Sequence, residues 1–364
     1  MTGAGLRAAR PEEAGMADPG RWVVAGLDNG GTTNNATVLD SAGRFLVDRM
    51  AESPSYVREG PEKAIEALAR SLDQVLELTG IPRAEVRAVG LDTPGPVSAD
   101  GVIAMQGATN FGDPAWCGFD VRGALEARVG IPVLYNNDAN AAALYAHHVH
   151  FGPVEAPRRS SVAAIVGTGL GGGVTEAGQV VRGAAGMAGE FGHVWIPMDG
   201  LLGPGQPVPA CNCGLYGDAE SVASLTGIEK NLLPYWLTRF AGHELGQVSP
   251  ALTAARLVRG YGERGDPLAL EIFRQQAMAL GRLFTIAANF TDPDVYFVGG
   301  GVVEAAMRFR NWVLEQVREH TLLRDEQRQA ATIIMVPDRD MAGARGSAIA
   351  ALAAARAMAA EDGG

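Results

Sequence analysis

Apolar residues recur along this chain in two arrangements, as short runs that end in glycine and as longer stretches with helical spacing. The run over residues 22–27 ends at Asp28 and a Gly-Gly-Thr-Thr turn, after which apolar residues resume as far as Leu39. Two apolar runs joined by a short glycine turn predict a β-hairpin. A third strand is predicted over 44–49, and apolar residues at intervals of three and four predict a helix over 60–78.

The first half of the chain continues with strands and helices in alternation. The predicted elements are, in order, a strand over 87–91, a helix over 121–129, a strand over 132–135 and a helix over 139–148. The first of these strands runs into Asp92-Thr93-Pro94-Gly95-Pro96, and the second stops at Asn136-Asn137-Asp138. Polar residues and turn residues therefore collect where the predicted strands end.

The second half repeats this order of elements. A strand over 161–166, a glycine turn and a returning strand from Val174 form a second predicted hairpin, followed by a third strand over 179–181. The later elements are a strand over 294–298, a helix over 302–317, a strand over 332–336 and a final helix over 344–358. This repetition predicts an α/β fold with a duplicated βββαβαβα core.

The duplication predicts two lobes. We expect the smaller N-terminal lobe to comprise residues 21–136 and a C-terminal helix over 343–360, and the larger lobe to comprise residues 137–342. The larger lobe carries a loop-rich stretch over 192–219 and a mostly helical insert over 225–288. Residues 1–20 mix Gly, Ala, Arg, Pro and Glu without an apolar core, so they are expected to be a disordered tail and not a signal peptide.

Composition narrows the class of protein. The 364 residues carry a formal net charge of −11, which argues against general affinity for nucleic acid or for an anionic membrane. No apolar run approaches the roughly 18 to 20 residues that span a bilayer. Three cysteines give an odd count and two of them are Cys211 and Cys213, which favours metal binding or free thiols in a reducing cytoplasm over disulfides.

The loop from Gly167 to Gly173 satisfies the pattern G-x-G-x-x-G of dinucleotide-binding folds. A dinucleotide loop opens a helix, whereas the residues from Val174 onward predict a strand, so a hairpin is favoured. Glycine-rich loops stand at four predicted strand ends, over 29–33, 93–96, 167–173 and 299–301. Backbone N–H groups without bulky side chains can approach phosphate oxygens closely, so these loops predict a shared polyphosphate cradle.

Two aspartates at strand ends are candidates for chemistry. Asp28 precedes the Gly-Gly-Thr-Thr turn, where it either holds Mg²⁺ beside phosphates or simply caps the turn. Asp138 begins a predicted helix, where a role as N-cap is sufficient to explain it. The functional alternative makes Asp138 the general base that takes a proton from a substrate hydroxyl during phosphoryl transfer.

A polar cluster follows the glycine loop of the second half. Its potential metal ligands are His193, Cys211, Cys213 and Asp218, whose nitrogen, sulfur and oxygen donors suit tetrahedral Zn²⁺. The alternative interpretation is a loop with two free thiols. Glu190 and Glu220 remain as acceptors for the hydroxyl groups of a sugar.

Taken together, these motifs resemble those of the ROK group of repressors, open-reading-frame proteins and sugar kinases, within the actin-like, hexokinase-like ATPase superfamily. The resemblance extends from Trp22 to the final helix. The motifs that carry it are Asp28-x-Gly30-Gly31-Thr32, Thr93-Pro94-Gly95-Pro96, Asn137-Asp138-Ala139-Asn140-Ala141-Ala142, Gly167-Thr168-Gly169-x-Gly171-Gly172-Gly173, Ala188-Gly189-Glu190-Phe191-Gly192-His193 and Cys211-x-Cys213-Gly214. The resemblance implies a two-lobed actin-like, or ribonuclease H-like, ATPase fold.

The resemblance also implies roles for individual residues. Asp138 would be the catalytic base, and the sugar hydroxyls would be held by Asn110, Asn137, Glu190, His193 and Glu220. ATP and Mg²⁺ would be bound by Asp28, Gly30, Gly31, Thr32, Thr33, Gly167, Thr168, Gly169, Gly171, Gly299 and Gly300. His193, Cys211 and Cys213 would ligate a structural zinc, and Asp218 falls where the family has a third zinc cysteine.

The expected activity is ATP-dependent phosphorylation of the primary hydroxyl of a hexose-like sugar, with glucose as the default substrate. An altered Gly- and Pro-rich loop over 198–210 raises a cyclitol kinase as the alternative. A sugar-responsive repressor would need a DNA-binding domain before the first strand, where about 20 residues stand, so it is disfavoured. A cytoplasmic homodimer that binds neither nucleic acid nor membrane is expected.

Overall fold

The computed structural model describes residues 22–93, 97–98, 100–104, 112–337 and 342–362. The tail over 1–20, the turn Pro94-Gly95-Pro96 and Asn110 lie outside these residues. Close packing divides the chain into unit 1 (Met1–Arg158, Thr175–Ala188 and Asp340–Gly364) and unit 2 (Arg159–Val174 and Gly189–Arg339). The lobe boundary predicted after residue 136 stays a prediction, and in these units residues 137–158 belong with the N-terminal part.

Strands and helices alternate along the described chain. The strands are β1 (Val23–Asn29), β2 (Thr33–Asp40), β3 (Ala51–Pro54), β4 (Val86–Thr93), β5 (Val133–Asn137), β6 (Ser161–Val166), β7 (Leu170–Glu176), β8 (Gln179–Val180), β9 (Val295–Gly300) and β10 (Thr332–Met335). The helices are α1 (Pro61–Thr79), α2 (Val121–Val129), α3 (Asp138–Glu155), α4 (Leu225–Gly227), α5 (Leu233–Arg239), α6 (Ala251–Glu263), α7 (Pro267–Thr291), α8 (Met307–Glu319), α9 (Asp325–Ala330) and α10 (Ala342–Asp362).

Unit 1 is built around a sheet with the strand order β3-β2-β1-β4-β5. β1 is antiparallel to β2 and parallel to β4, and β4 is parallel to β5. Side chains alternate between the faces, so Ala25 and Leu27 pack with α1 and α2, whereas Val24 packs with α3 and α10. Both faces of the sheet are therefore covered by helices.

Helix α10 lies unusually close to β1 and β4. A Cβ atom added to Gly26 would collide with the carbonyl oxygen of Ala344, and one added to Gly90 would collide with that of Ser347. Glycine at these two strand positions lets the backbone of the helix approach the sheet directly. The last helix of the chain is thereby fixed over the ends of the first strands.

Unit 2 contains a second sheet with the order β10-β9-β6-β7, in which β9 pairs in parallel with both β6 and β10. The end of β7, from Thr175, belongs to unit 1, where it pairs with β8. Helix α7 forms much of the core of unit 2. It starts where Asp266 accepts a hydrogen bond from Ala269 N, with Pro267 in its first turn, and it buries Ile272 and Phe284 completely.

The predicted α/β class and duplicated order of strands are confirmed. In each half a hairpin strand pairs in parallel with the strand that follows the intervening helices, as β1 does with β4 and β6 with β9. The predictions for α1, α2 and β6 agree with the structure to within a residue or two. No helix among the described residues is long and apolar enough to cross a membrane.

Two sequence expectations are wrong. The third strand is β3 and not residues 44–49, because the Asp40 side chain accepts hydrogen bonds from Ala42 N and Arg44 N and closes a turn there. β3 instead pairs with the beginning of β2, where Ala36 faces Ala51. The helix predicted over 302–317 begins only at Met307, after a short 3-10 turn.

Candidate active site

Two aspartates of unit 1 stand side by side where β1 and β4 end. The tripeptide Gly-Leu-Asp occurs in both strands, over 26–28 and 90–92, and the two copies are in register, so Asp28 is paired with Asp92. Asn35 Nδ2 donates a hydrogen bond to Asp28 Oδ2 over 3.0 Å, and Ser347 Oγ donates to Asp92 Oδ1 over 3.0 Å. Sequence reasoning selected Asp28 and missed Asp92, although the repeated tripeptide was a signal that could have found it.

Asp28, Asp92 and Asp138 form an acidic cluster in which the pKa of each carboxyl group is raised, chiefly by burial. Burial raises the pKa of Asp92 well above its usual value, and the charges of Asp28 and Asp138 add to the increase. Burial also raises the pKa of Asp28, an effect that the hydrogen bond from Asn35 reduces and the charge of Asp138 reinforces. Perturbed carboxyl groups of this kind are typical of functional sites.

Asp138 is the first residue of α3, but it is not the residue that caps the helix. Asn137 holds that position, and its Oδ1 accepts a hydrogen bond from Asn140 N over 2.7 Å. Asp138 Oδ1 accepts from Ala139 N over 2.8 Å, and the side chain remains exposed. The protein atoms crowded around it nevertheless raise the pKa of Asp138 by desolvation. The N-cap position predicted for Asp138 is therefore held by Asn137, and the Asp138 carboxylate contacts only the first turn of the helix.

The glycine turn between β1 and β2 is a tight connection. Gly30 N donates to Thr33 O over 2.9 Å, and a Cβ on Gly30 would approach that oxygen to 2.7 Å. Gly31 is half-buried, and Thr32 and Thr33 are exposed. The turn follows Asp28 directly, so its backbone and hydroxyl groups are available beside the acidic cluster.

In unit 2, residues 167–169 connect β6 to β7 as a hairpin loop, here called the glycine loop. A strand follows it and not a helix, so the dinucleotide-binding alternative is wrong. Gly167 N donates to Gly169 O over 2.9 Å. Among the described residues, no hydrogen bond uses the amide N–H of Thr168 or Gly169, and Thr168 is exposed. These donors are suited to an anionic oxygen.

The glycines at the end of β9 have a structural role. Gly299 and Gly300 are buried, and a Cβ on Gly300 would collide with the carbonyl oxygen of Val166 in β6. Gly300 also has a φ of 101°, a conformation that favours glycine. Close packing of β9 on β6 therefore accounts for these residues, and their predicted contact with phosphate stays a prediction.

The predicted metal ligands of unit 2 come together in one place. The donor atoms of His193, Cys211, Cys213 and Asp218 all lie within 4.8 Å of one another. His193 Nδ1 lies 3.3 Å from Asp218 Oδ2, and Cys213 Sγ lies 3.5 Å from the same oxygen. Asp218 is completely buried. Burial opposes its ionisation, but hydrogen bonds from Cys211, Ser221 N and His193 hold the pKa of Asp218 below its usual value.

Glu220 joins this cluster to the glycine loop. Its Oε2 accepts a hydrogen bond from Leu170 N over 2.8 Å, and its Oε1 lies 3.5 Å from Cys211 Sγ. Glu190 is half-buried at the start of the 3-10 turn Phe191–His193, where its carbonyl oxygen accepts from His193 N. The two glutamates thus flank the histidine and cysteines, while the roles predicted for them stay predictions.

Comparison with known proteins assigns this chain to one protein family. A sequence model described as the ROK family matches residues 24–354. A glucokinase of Halalkalibacterium halodurans is 31% identical over 302 residues, which cover 82% of this chain and 85% of that protein. The match therefore includes both units and extends over most of the relative.

Solved structures agree with this likeness. A ROK hexokinase from Thermus thermophilus is similar with a TM-score of 0.72 and 31% identity, over 92% of this chain and 99% of the other. A ROK family glucokinase from Streptomyces griseus, in complex with glucose and AMPPNP, is similar with a TM-score of 0.62 and 28% identity, over 90% and 99% of the two chains. The predicted fold class is confirmed by these neighbours.

Proposed function

Since the chain belongs to the ROK family, we propose that it is an ATP-dependent kinase that phosphorylates the primary hydroxyl of a hexose-like sugar, with glucose as the expected substrate. The observation that carries this proposal is the environment of Asp138. Asn137 is the N-cap of helix α3, and Asp138 Oδ1 accepts only from the adjacent Ala139 N, so the exposed carboxylate keeps a second oxygen for a substrate hydroxyl. Its raised pKa makes it a better proton acceptor than an ordinary aspartate.

In the proposed reaction Asp138 accepts the proton of the sugar hydroxyl as that oxygen attacks the γ-phosphorus of ATP. The new oxygen–phosphorus bond forms as the bond from the γ-phosphorus to the β,γ-bridging oxygen breaks, and ADP leaves. Asn137, adjacent to the base, would hold a second sugar hydroxyl. Asn110 has the same proposed role and lies outside the described residues.

The residues around Asp28 fit Mg²⁺ and phosphate. A carboxylate oxygen is the hard donor that Mg²⁺ prefers, and Asp28 would hold the ion directly or through water. Bound Mg²⁺ would neutralise charge on the transferred phosphoryl group. The N–H groups of Thr168 and Gly169 and the turn over 30–33 would bind phosphate oxygens, because Thr32, Thr33 and Thr168 are exposed and no hydrogen bond among the described residues uses the N–H of Thr168 or Gly169.

The cluster in unit 2 fits a structural zinc and a sugar. One imidazole nitrogen, two thiolates and one carboxylate oxygen, from His193, Cys211, Cys213 and Asp218, make a four-donor set suited to tetrahedral Zn²⁺. Glu190, Glu220 and the second ring nitrogen of His193 would accept or donate hydrogen bonds to sugar hydroxyls. We also propose that the active form is a homodimer.

The proposal is tested by measuring ADP release with hexoses, N-acetylhexosamines and cyclitols as acceptors, for the wild type and for Asp138→Asn. We expect turnover with glucose and a fall in kcat of about 10² to 10⁴ in the variant, because the base is lost. Asp120→Asn is the matched control. Asp120 caps α2 through Gly123 N, and asparagine preserves such a cap.

The outcomes separate the alternatives. Turnover with cyclitols and none with hexoses would replace the sugar by a carbocyclic substrate. Absence of turnover with every polyol would overturn the kinase proposal, and near-full activity of Asp138→Asn would overturn the choice of base. Metal analysis of the purified protein, prepared without chelator, should find about one zinc per chain.

A further inference from the structure

Residues 220–231, here called the bridging segment, lie between two loops of unit 2 that the proposed function assigns to different ligands. On one side is the glycine loop, proposed to bind phosphate. On the other is the loop over 210–213, here called the cysteine loop, which carries Cys211 and Cys213. The segment includes Glu220, the short helix α4 and all but the last residue of the π-helix Ile228–Leu232.

The bridging segment holds two consecutive residues of the glycine loop, Gly167 and Thr168. Leu225 N donates to Gly167 O over 3.0 Å. Thr226 contributes two hydrogen bonds to Thr168 O, one from its backbone N over 3.1 Å and one from its Oγ1 over 2.9 Å. Because the carbonyl of Thr168 is fixed in this way, the orientation of the following peptide, and with it the N–H of Gly169, is fixed as well.

The same segment holds the cysteine loop through Asn231. Asn231 Nδ2 donates to Ala210 O over 3.0 Å and to Ser221 O over 2.8 Å, and Asn231 Oδ1 accepts from Ala210 N over 3.2 Å. Lys230 Nζ donates to Asn212 Oδ1 over 2.6 Å. The side-chain amide of Asn231 therefore clamps both backbone groups of the residue that precedes Cys211.

A buried glutamine of helix α7 anchors the bridging segment to the core. Gln276 Nε2 donates to Val222 O over 3.1 Å and to Ser224 O over 3.0 Å, and the residue is 5% exposed. Ser224 in turn donates from its Oγ to Glu220 O and accepts from Gly227 N. The segment is thus attached to the most extensively buried helix of unit 2, between its contacts to the two loops.

We infer that Thr226 is a positioning residue for the phosphate-binding glycine loop, Asn231 is a positioning residue for the cysteine loop, and Gln276 positions both by holding the bridging segment. This inference rests on the proposed function, since it assigns the two loops to nucleotide and sugar. It predicts that two substitutions in one short segment affect different ligands: changes at Thr226 should affect the nucleotide, and changes at Asn231 should affect the sugar.

The first test compares Thr226→Val with Thr226→Ser. Valine removes the hydroxyl at nearly constant shape, whereas serine keeps it. We expect Thr226→Val to weaken binding of MgADP, measured by calorimetry, about threefold to tenfold and to raise the KM for ATP similarly, as expected for the loss of one hydrogen bond. The KM for the sugar should change little, and Thr226→Ser should bind MgADP like the wild type.

The second test uses Asn231→Ala. We expect a rise of about tenfold in the KM for the sugar and faster reaction of Cys211 and Cys213 with a thiol reagent in chelator-treated protein, since the two hydrogen bonds that fix the cysteine loop at Ala210 are lost. The affinity for MgADP should be unchanged. Asn289→Ala is the control, because Asn289 is an exposed residue whose side chain bonds only within α7.

The third variant, Gln276→Leu, should impair both MgADP binding and protection of the thiols while melting cooperatively. If Thr226→Val binds MgADP like the wild type, or if Asn231→Ala weakens MgADP binding as strongly as it exposes the thiols, the inference is overturned. MgADP binding and thiol reactivity do not need turnover. The wild type could therefore turn over no polyol while Thr226→Val weakens only MgADP binding and Asn231→Ala exposes only the thiols. That result would overturn the proposed substrate class and support the inference.

Discussion

Asp92 in unit 1 and Asp218 in unit 2 are both buried aspartates, yet their surroundings shift the pKa of their carboxyl groups in opposite directions. Asp92 accepts one hydrogen bond from a side chain, that of Ser347, and faces the charges of Asp28 and Asp138. Asp218 accepts from Ser221 N at one oxygen and lies beside His193 Nδ1 and Cys213 Sγ at the other. Hydrogen-bond donors surround the Asp218 carboxylate, whereas other negative charges lie near the Asp92 carboxylate.

The difference shows that burial alone does not decide whether a carboxyl group is ionised. Desolvation opposes ionisation at both positions, so the sign of the net shift depends on the hydrogen-bond donors and charges nearby. The hydrogen bonds to Asp218 stabilise its ionised form in the interior, and an ionised carboxylate is suited to bind a cation. The acidic cluster in unit 1 instead concentrates negative charge that only a cation or a proton can neutralise.

The largest effect is expected for Asp218→Ala. Alanine leaves Ser221 N without its buried acceptor and removes one donor from the proposed zinc set. We expect the free energy of unfolding, measured by denaturant titration, to fall by about 3 kcal/mol and the zinc content to fall with it. Asp199→Ala, at an exposed position nearby in the chain, should change stability little. Equal stability of the two variants would mean that the donors around Asp218 contribute nothing.

A smaller effect of opposite sign is expected for Asp92→Asn. Because the folded-state pKa of Asp92 is raised, its contribution to stability is complete below the ordinary value of 3.8 and is lost as the pH rises through the folded pKa. Asparagine cannot ionise and still accepts the hydrogen bond from Ser347. The variant should be more stable than the wild type at neutral pH, on the order of 1 kcal/mol, with no gain below pH about 3.8.

Denaturant titrations of both proteins across pH 3 to 8 check this prediction. A stability difference that is independent of pH would show that packing, and not charge, causes it. A loss of stability at pH 7 would show that Asp92 is held as an anion. A cation bound at the acidic cluster should reduce the difference between the two proteins, so the titrations are made with and without Mg²⁺.

An effect of similar or smaller size is expected for Ser347→Ala. The Ser347 hydroxyl supplies the hydrogen bond that favours ionised Asp92, so its removal should raise the pKa of Asp92 further. We expect stability to fall by about 0.5 to 1.5 kcal/mol at neutral pH and by less at acid pH, where Asp92 is protonated. A loss that is the same at both pH values would assign the hydroxyl a role independent of the Asp92 charge.

The sequence predicted the order of elements better than the contacts that hold them. Helix α2 and strand β6 have the predicted bounds, because local spacing of apolar residues determines them. The cluster of His193, Cys211, Cys213 and Asp218 was also predicted, because nitrogen, sulfur and oxygen donors within one short stretch are typical of a metal site. These features depend on residues that are close in sequence or chemically distinctive.

Features that depend on long-range pairing were missed. β3 was placed in the wrong segment because the run over 44–49 looks more strand-like than 51–54, and only pairing with β2 selects the latter. Asp92 was missed because its meaning comes from Asp28, a partner 64 positions earlier that the parallel register brings beside it. The clamps made by Thr226, Asn231 and Gln276 involve backbone oxygens, which leave no signature in the residue types.

The close approach of α10 to β1 and β4 has a consequence for how the molecule assembles as it is made. The strands that it covers are synthesised before unit 2, whereas the helix is made after all of unit 2. Domains generally begin to fold as their residues emerge. One apolar face of the first sheet, including Val24 and Ala88, therefore has only α3 to pack against while unit 2 is completed. The earliest part of the chain is finished last, and during synthesis that exposed face is where premature association would begin.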